Sequence, residues 1–205
     1  MRVAISFSGL PRIKPQALAA WQRMISQHDC HVYMHVWNTD IEEISVLLQR
    51  LKPVACSIEP PIVFDVSCYT ERLQESNPQS VFSMWTSISR SMSLVESSCI
   101  QYDRVVRARF DVGFDDFDFL DTSGIVIPGK PAEIYSWQGK RYCGWHDMMA
   151  YGDMSSMKQY ANTLHAIPRI YQQSSPFFSE FFLSTHLFET QTSVTHHSVW
   201  ADIIR

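Results

Sequence analysis

Cysteine is sparse in this chain, odd in number and scattered. Cys30, Cys56, Cys68, Cys99 and Cys143 include no CxxC pair, which argues against a structural zinc site and reads as reduced thiols in a cytoplasmic protein. No apolar run approaches the length that crosses a bilayer, so no membrane span is expected. The opening "MRVAISFSGLPR" places one basic residue before a short apolar run that stops at Gly9 and Pro11, unlike a signal peptide. Basic charge is not in excess either: 17 Lys and Arg stand against 21 Asp and Glu, about −4 net. That removes any general drive toward nucleic acid or an anionic membrane, so an anionic ligand has to be held by local arginines. Repeats, low-complexity segments and linkers are absent as well. The expectation is a single domain over residues 1–205, short enough to be one domain of a longer polypeptide.

What the chain does have is apolar and aromatic residues, 45% and 13% of the total, enough for a sizeable core. "RVAISFSG", "CHVYMHVWN", "VACSIEPP" and "RVVRARFDV" read as buried strands. Between them, "KPQALAAWQRMISQH", "IEEISVLLQRLKP" and "SVFSMWTSISRSMSLVESSCIQ" carry apolar residues at helical spacing. A β-α-β-α-β-α-β order predicts an α/β fold with a mostly parallel sheet. Further on, "GIVIPG", "AEIYSW" and "TSVTHHSVW" read as short strands. "GWHDMMAYGDMSSMKQYANTLHAI" reads as a loop that becomes a helix, and "SEFFLSTHLFET" as a helix capped by Ser179.

Open α/β sheets bind ligands outside the carboxyl ends of their strands. Four such places stand out. In "SFSGLPR", Ser8, Gly9 and Arg12 end a strand and open a helix, a turn suited to a phosphate or simply a βα connection. In "HVWNTD", Trp37 could stack on a base and Asn38 or Asp40 could bond a ribose hydroxyl; the plainer reading is a core Trp and a turn. In "YDRVVRARFDVGFDDFDFLD", alternation puts Arg107, Arg109 and Asp111 on one face of a strand. Such arginines need anions or carboxylates, so an ion-pair network or a diphosphate with a metal at Asp111 would satisfy them. The expectation is that Arg107 pairs with a buried carboxylate, while Arg109 reaches the ligand or orients Asp111. Asp115, Asp116 and Asp118 read as a solvated acidic loop. Last, Asp147 and Glu180 are candidates for a catalytic base, and His196 and His197 for metal or phosphate partners.

Taken in order, "SFSGLPR", "YMHVWN", "YDRVVRARFDV", "HDMMAYGD" and "SEFFLSTHL" resemble the small nucleotide-sugar glycosyltransferases of the GT-A fold found in bacterial surface-polysaccharide loci and some large viruses. The resemblance implies a single-domain, Rossmann-like mixed sheet flanked by helices. It also implies transfer of a sugar from a nucleoside diphosphate sugar, UDP-linked by expectation, to a hydroxyl of a glycan or glycoprotein. Asp111 would stand where the family binds Mn²⁺ or Mg²⁺, although Arg109 occupies the place of that motif's first aspartate, and a late histidine ligand would fall on His196 or His197. Two competing readings stay open. A nucleotidyltransferase would join the same kind of sheet, carboxylates and metal, but "SGLPRIK" matches its Gly-rich loop poorly. A non-catalytic nucleotide- or carbohydrate-binding module would use the tryptophans as platforms.

Overall fold

The computed structural model describes residues 1–69, 76–129, 133–137, 139–173 and 176–204. Its first half follows the predicted order: β1 (Arg2–Gly9), α1 (Pro15–Gln27), β2 (Asp29–Trp37), α2 (Ile41–Leu51), β3 (Ala55–Glu59), α3 (Pro78–Ser97) and β4 (Arg104–Ala108). Local chemistry sets the helix starts. Pro15 opens α1, where its missing N–H costs nothing. The Asp40 side chain accepts from the Glu43 N–H at the head of α2, and Asn77 accepts from the Gln79 N–H at the head of α3.

The second half comprises β5 (Val112–Phe114), β6 (Ile125–Pro128), β7 (Glu133–Trp137), β8 (Lys140–Gly144), β9 (Met149–Gly152), α4 (Met154–Ala161), α5 (Thr163–Gln172), α6 (Ser179–Glu189), β10 (Val194–His197) and β11 (Ala201–Ile203). One seven-stranded sheet in the order β10-β6-β9-β4-β1-β2-β3 organises the chain. Six strands run the same way, and β9 runs against its neighbours β4 and β6. Two small ladders, β11-β5 and β7-β8, lie outside it.

Helices cover both faces. Val3, Ile5, Phe7, Val106 and Ala108 pack with Trp21 and Leu47 on the α1–α2 side. Ala4, Val105, Trp85, Ile88 and Phe182 pack on the α3–α6 side. Each large apolar side chain buried in this way contributes roughly 1.5–3 kcal/mol.

Three expectations are corrected. β4 stops at Ala108, and the chain turns through Arg109–Asp111 before resuming as β5 in a separate ladder. The segment read as a loop before a helix holds β9, an antiparallel strand in the middle of the sheet. Ser179 does not cap α6; it is the first helical residue, after a Phe178 cap position without a side-chain bond.

Candidate functional site

The carboxyl ends of β1, β2 and β4 meet the first turns of α3 around a cavity of about 290 Å³. Gly9 ends β1 at φ +120°, a backbone conformation that a side chain would strain. That bend carries the chain through Leu10 and Pro11 so that Arg12 stands at the mouth. Ser8, Gly9, Leu10 and Arg12 form one wall, with Trp37 and Pro61 beside them. Ser80, Ser83 and Met84 of α3 form another, and Arg109 and Asp111 close the third. A second depression, about 410 Å³, shares Arg12, Arg109 and Asp111 and adds Lys14, Glu43, Ile203 and Ile204.

Arg109 and Asp111 are joined by two parallel bonds, Nε to Oδ1 at 2.8 Å and Nη2 to Oδ2 at 2.7 Å. Burial opposes the Arg109 charge, but its hydrogen bonds to Asp111 override that and hold its pKa above the ordinary value. The backbone fixes both residues: the Arg109 N–H donates to the Met148 carbonyl, and the Asp111 carbonyl accepts from the Ile204 N–H.

Trp37 is only 1% exposed. Arg90 lies over its ring at 5.6 Å and His35 meets its edge at 4.6 Å, so only its rim reaches the cavity. Beneath it, His35 Nδ1 bonds Ser87 Oγ at 2.7 Å, and Nε2 stands 3.4 Å from Glu59. Burial holds the imidazole neutral, with a pKa lowered to about 4.

Other predicted residues lie elsewhere. Asn38 is exposed and lines neither depression; its backbone N–H donates to the Glu59 carbonyl. Asp147 is buried off the cavity wall and accepts from Ser179 Oγ, which in turn accepts from Trp85 Nε1 at 3.0 Å. Glu180 sits half-buried in the first turn of α6, also off the wall. His196 and His197 lie on the far edge strand β10. His196 Nε2 contacts the Gly129 carbonyl at 2.7 Å, and His197 Nδ1 contacts Tyr151 Oη at 3.0 Å. They do not converge with Asp111. Arg107 pairs with no carboxylate, contrary to expectation: none of its three nitrogens has a hydrogen-bond partner among the described residues.

Hard divalent ions need several oxygen donors. Asp111 is the one carboxylate among the described residues on the first cavity's wall, and Arg109 takes up both its oxygens. No group of three or more His, Cys, Asp or Glu among the described residues could hold an ion. The donor set therefore does not fit a preformed metal site.

The sequence reading missed Ser80, Ser83 and Met84. The signal was there in the pair Asn77-Pro78, which starts α3 two residues before Ser80, where the sequence reading began the helix, and in serines three apart on one side of it.

No protein family's sequence profile matches the chain, and no curated protein matches it. Solved structures do. One is the nucleoside-diphosphate-sugar pyrophosphorylase from Vibrio cholerae RC9, 8% identical, with a TM-score of 0.55 over 98% of this chain and 94% of that one. Another is a protein from Bacillus anthracis provisionally assigned as a glucose-1-phosphate thymidylyltransferase and solved with sucrose, also 8% identical, with a TM-score of 0.50 over 99% and 89%. With the sheet order above, these likenesses make the fold GT-A-like: a Rossmann-like α/β domain built on a mixed, mostly parallel sheet.

Proposed function

We propose that the protein is an enzyme of nucleotide-sugar chemistry and that the 290 Å³ cavity takes the nucleotide phosphates. Two cations, Arg12 and Arg109, border it against one carboxylate, Asp111, and all three also line the second depression. The reaction we favour is nucleotidyl transfer. An oxygen of a sugar 1-phosphate attacks the α-phosphorus of a nucleoside triphosphate; the new P–O bond forms as the bond to the β-phosphate breaks, and pyrophosphate leaves. Arg12 and Arg109 offset the charge on the phosphates as it shifts.

The observation that carries this reading is the state of the carboxylates. Asp111 is bonded through both oxygens to Arg109, and Asp147 and Glu180 are off the wall. A sugar phosphate is already an anionic nucleophile and needs no base. An acceptor hydroxyl attacking with inversion does need one. The names of both structural neighbours point the same way.

Glycosyl transfer to a glycan or glycoprotein is the second reading, favoured by the order of the sequence motifs. Either reaction suits a cytoplasmic setting, in keeping with the free thiols of Cys30, Cys56, Cys68 and Cys99. The product separates them. Incubation with a nucleoside triphosphate and a sugar 1-phosphate is expected to release pyrophosphate. Release of nucleoside diphosphate from a nucleotide sugar, with no pyrophosphate in the first assay, would reverse the assignment.

A further inference from the structure

Arg107 is 1% exposed, and its Nε, Nη1 and Nη2 all lack hydrogen-bond partners among the described residues. Its near neighbour is the ring of Tyr160, 6.0 Å from Cζ and equally buried. The carboxylates that attract it, Asp147 and Asp111, are engaged with Ser179 and Arg109. A guanidinium does not shed its charge under ordinary conditions, and an unpaired buried cation lowers stability. Its place in the sheet is informative. Arg107 lies beside Ser6 in the parallel register of β4 and β1. Two residues further on in the chain are Ser8, still in β1, and Arg109, just past the end of β4, both on the cavity wall.

We propose that Arg107 is a field-setting residue: a buried cation with no hydrogen-bond partner among the described residues, set behind the cavity floor, that strengthens the binding of phosphate charge through space without touching the ligand. The proposal rests on the reading that the cavity takes nucleotide phosphates, and adds to it a residue the ligand never meets. Protein rather than solvent surrounds Arg107, so dissolved ions do not screen it well, whereas Arg12 is exposed and is screened. With the phosphate on the order of 10 Å away and an effective dielectric near 20, Coulomb attraction corresponds to roughly tenfold in affinity per unit of phosphate charge.

The test compares Arg107→Met and Arg107→Lys with wild type. Calorimetric titration measures UDP, GDP and dTDP, each against its own nucleoside, at low and high salt, and thermal melts accompany each variant. Arg107→Met is expected to bind the preferred diphosphate about tenfold or more weakly and the nucleoside unchanged. The deficit should persist in high salt, and Arg107→Lys should restore most of the affinity. Because no hydrogen bond to a described residue is lost with the guanidinium, Arg107→Met is also expected to melt no lower than wild type. Equal loss for diphosphate and nucleoside, undiminished diphosphate binding, or failure of Arg107→Met to fold would each overturn the proposal. Wild-type protein that binds none of the three diphosphates would instead overturn the underlying nucleotide reading.

Discussion

Arg109 and Asp111 are two residues apart in sequence, and their side chains meet because the chain turns between them instead of continuing as strand. The pair presents a guanidinium to the cavity with its charge partly balanced, so an incoming phosphate competes with Asp111 for Arg109. His35 shows the opposite treatment of a titratable group. It is fully buried, bonded to Ser87, and faced by Glu59 and Arg90. Its pKa falls from about 6.5 to about 4. Between those values the unfolded chain binds a proton that the folded one excludes, so stability is complete above pH 6.5 and is lost as pH falls toward 4. Denaturant titrations across that window should show stability falling by up to about 1.4 kcal/mol per pH unit. His35→Gln should flatten that slope; an unchanged slope would mean that other groups carry it.

At the scale of elements, β1 to β4 and α1 to α3 were legible because long apolar runs and helical spacing coincide with clear stops such as Gly9, Pro53 and Pro60. β9 was not. "MAYG" is four residues long, contains Met, Ala and Gly, and gains its place only by pairing with two strands distant in sequence. Its last residue, Gly152, lies so close to Gly124 that an added Cβ would stand 2.3 Å from the Gly124 carbonyl oxygen. Gly152→Ala must therefore push β6 away from β9. A loss of roughly 2 kcal/mol or more is expected, read as a fall in the urea midpoint. Wild-type stability would show that this junction has slack.

At the scale of the whole molecule, the sheet layout was legible and the site only in part. The strand-end rule led to Ser8, Gly9, Arg12, Trp37, Arg109 and Asp111, which do line one cavity. It also led to His196 and His197, which end up at the far edge because the insertion of β9 and β6 carries β10 away from β1. Alternation marked Arg107, but the polar run it joins on the α3 side, with Ser6, Ser8 and His35, emerged only from packing: Ser6 meets Ser91, His35 meets Ser87, and Arg107 has no hydrogen-bond partner among the described residues. The central claim is that this cavity holds nucleotide phosphates through Arg109. Calorimetric titration of nucleoside di- and triphosphates into wild type and Arg109→Ala tests it most directly. The account predicts binding of at least one nucleotide to wild type and a loss of about tenfold or more in the variant. No binding to wild type at millimolar concentration, or equal affinity in both proteins, would contradict it.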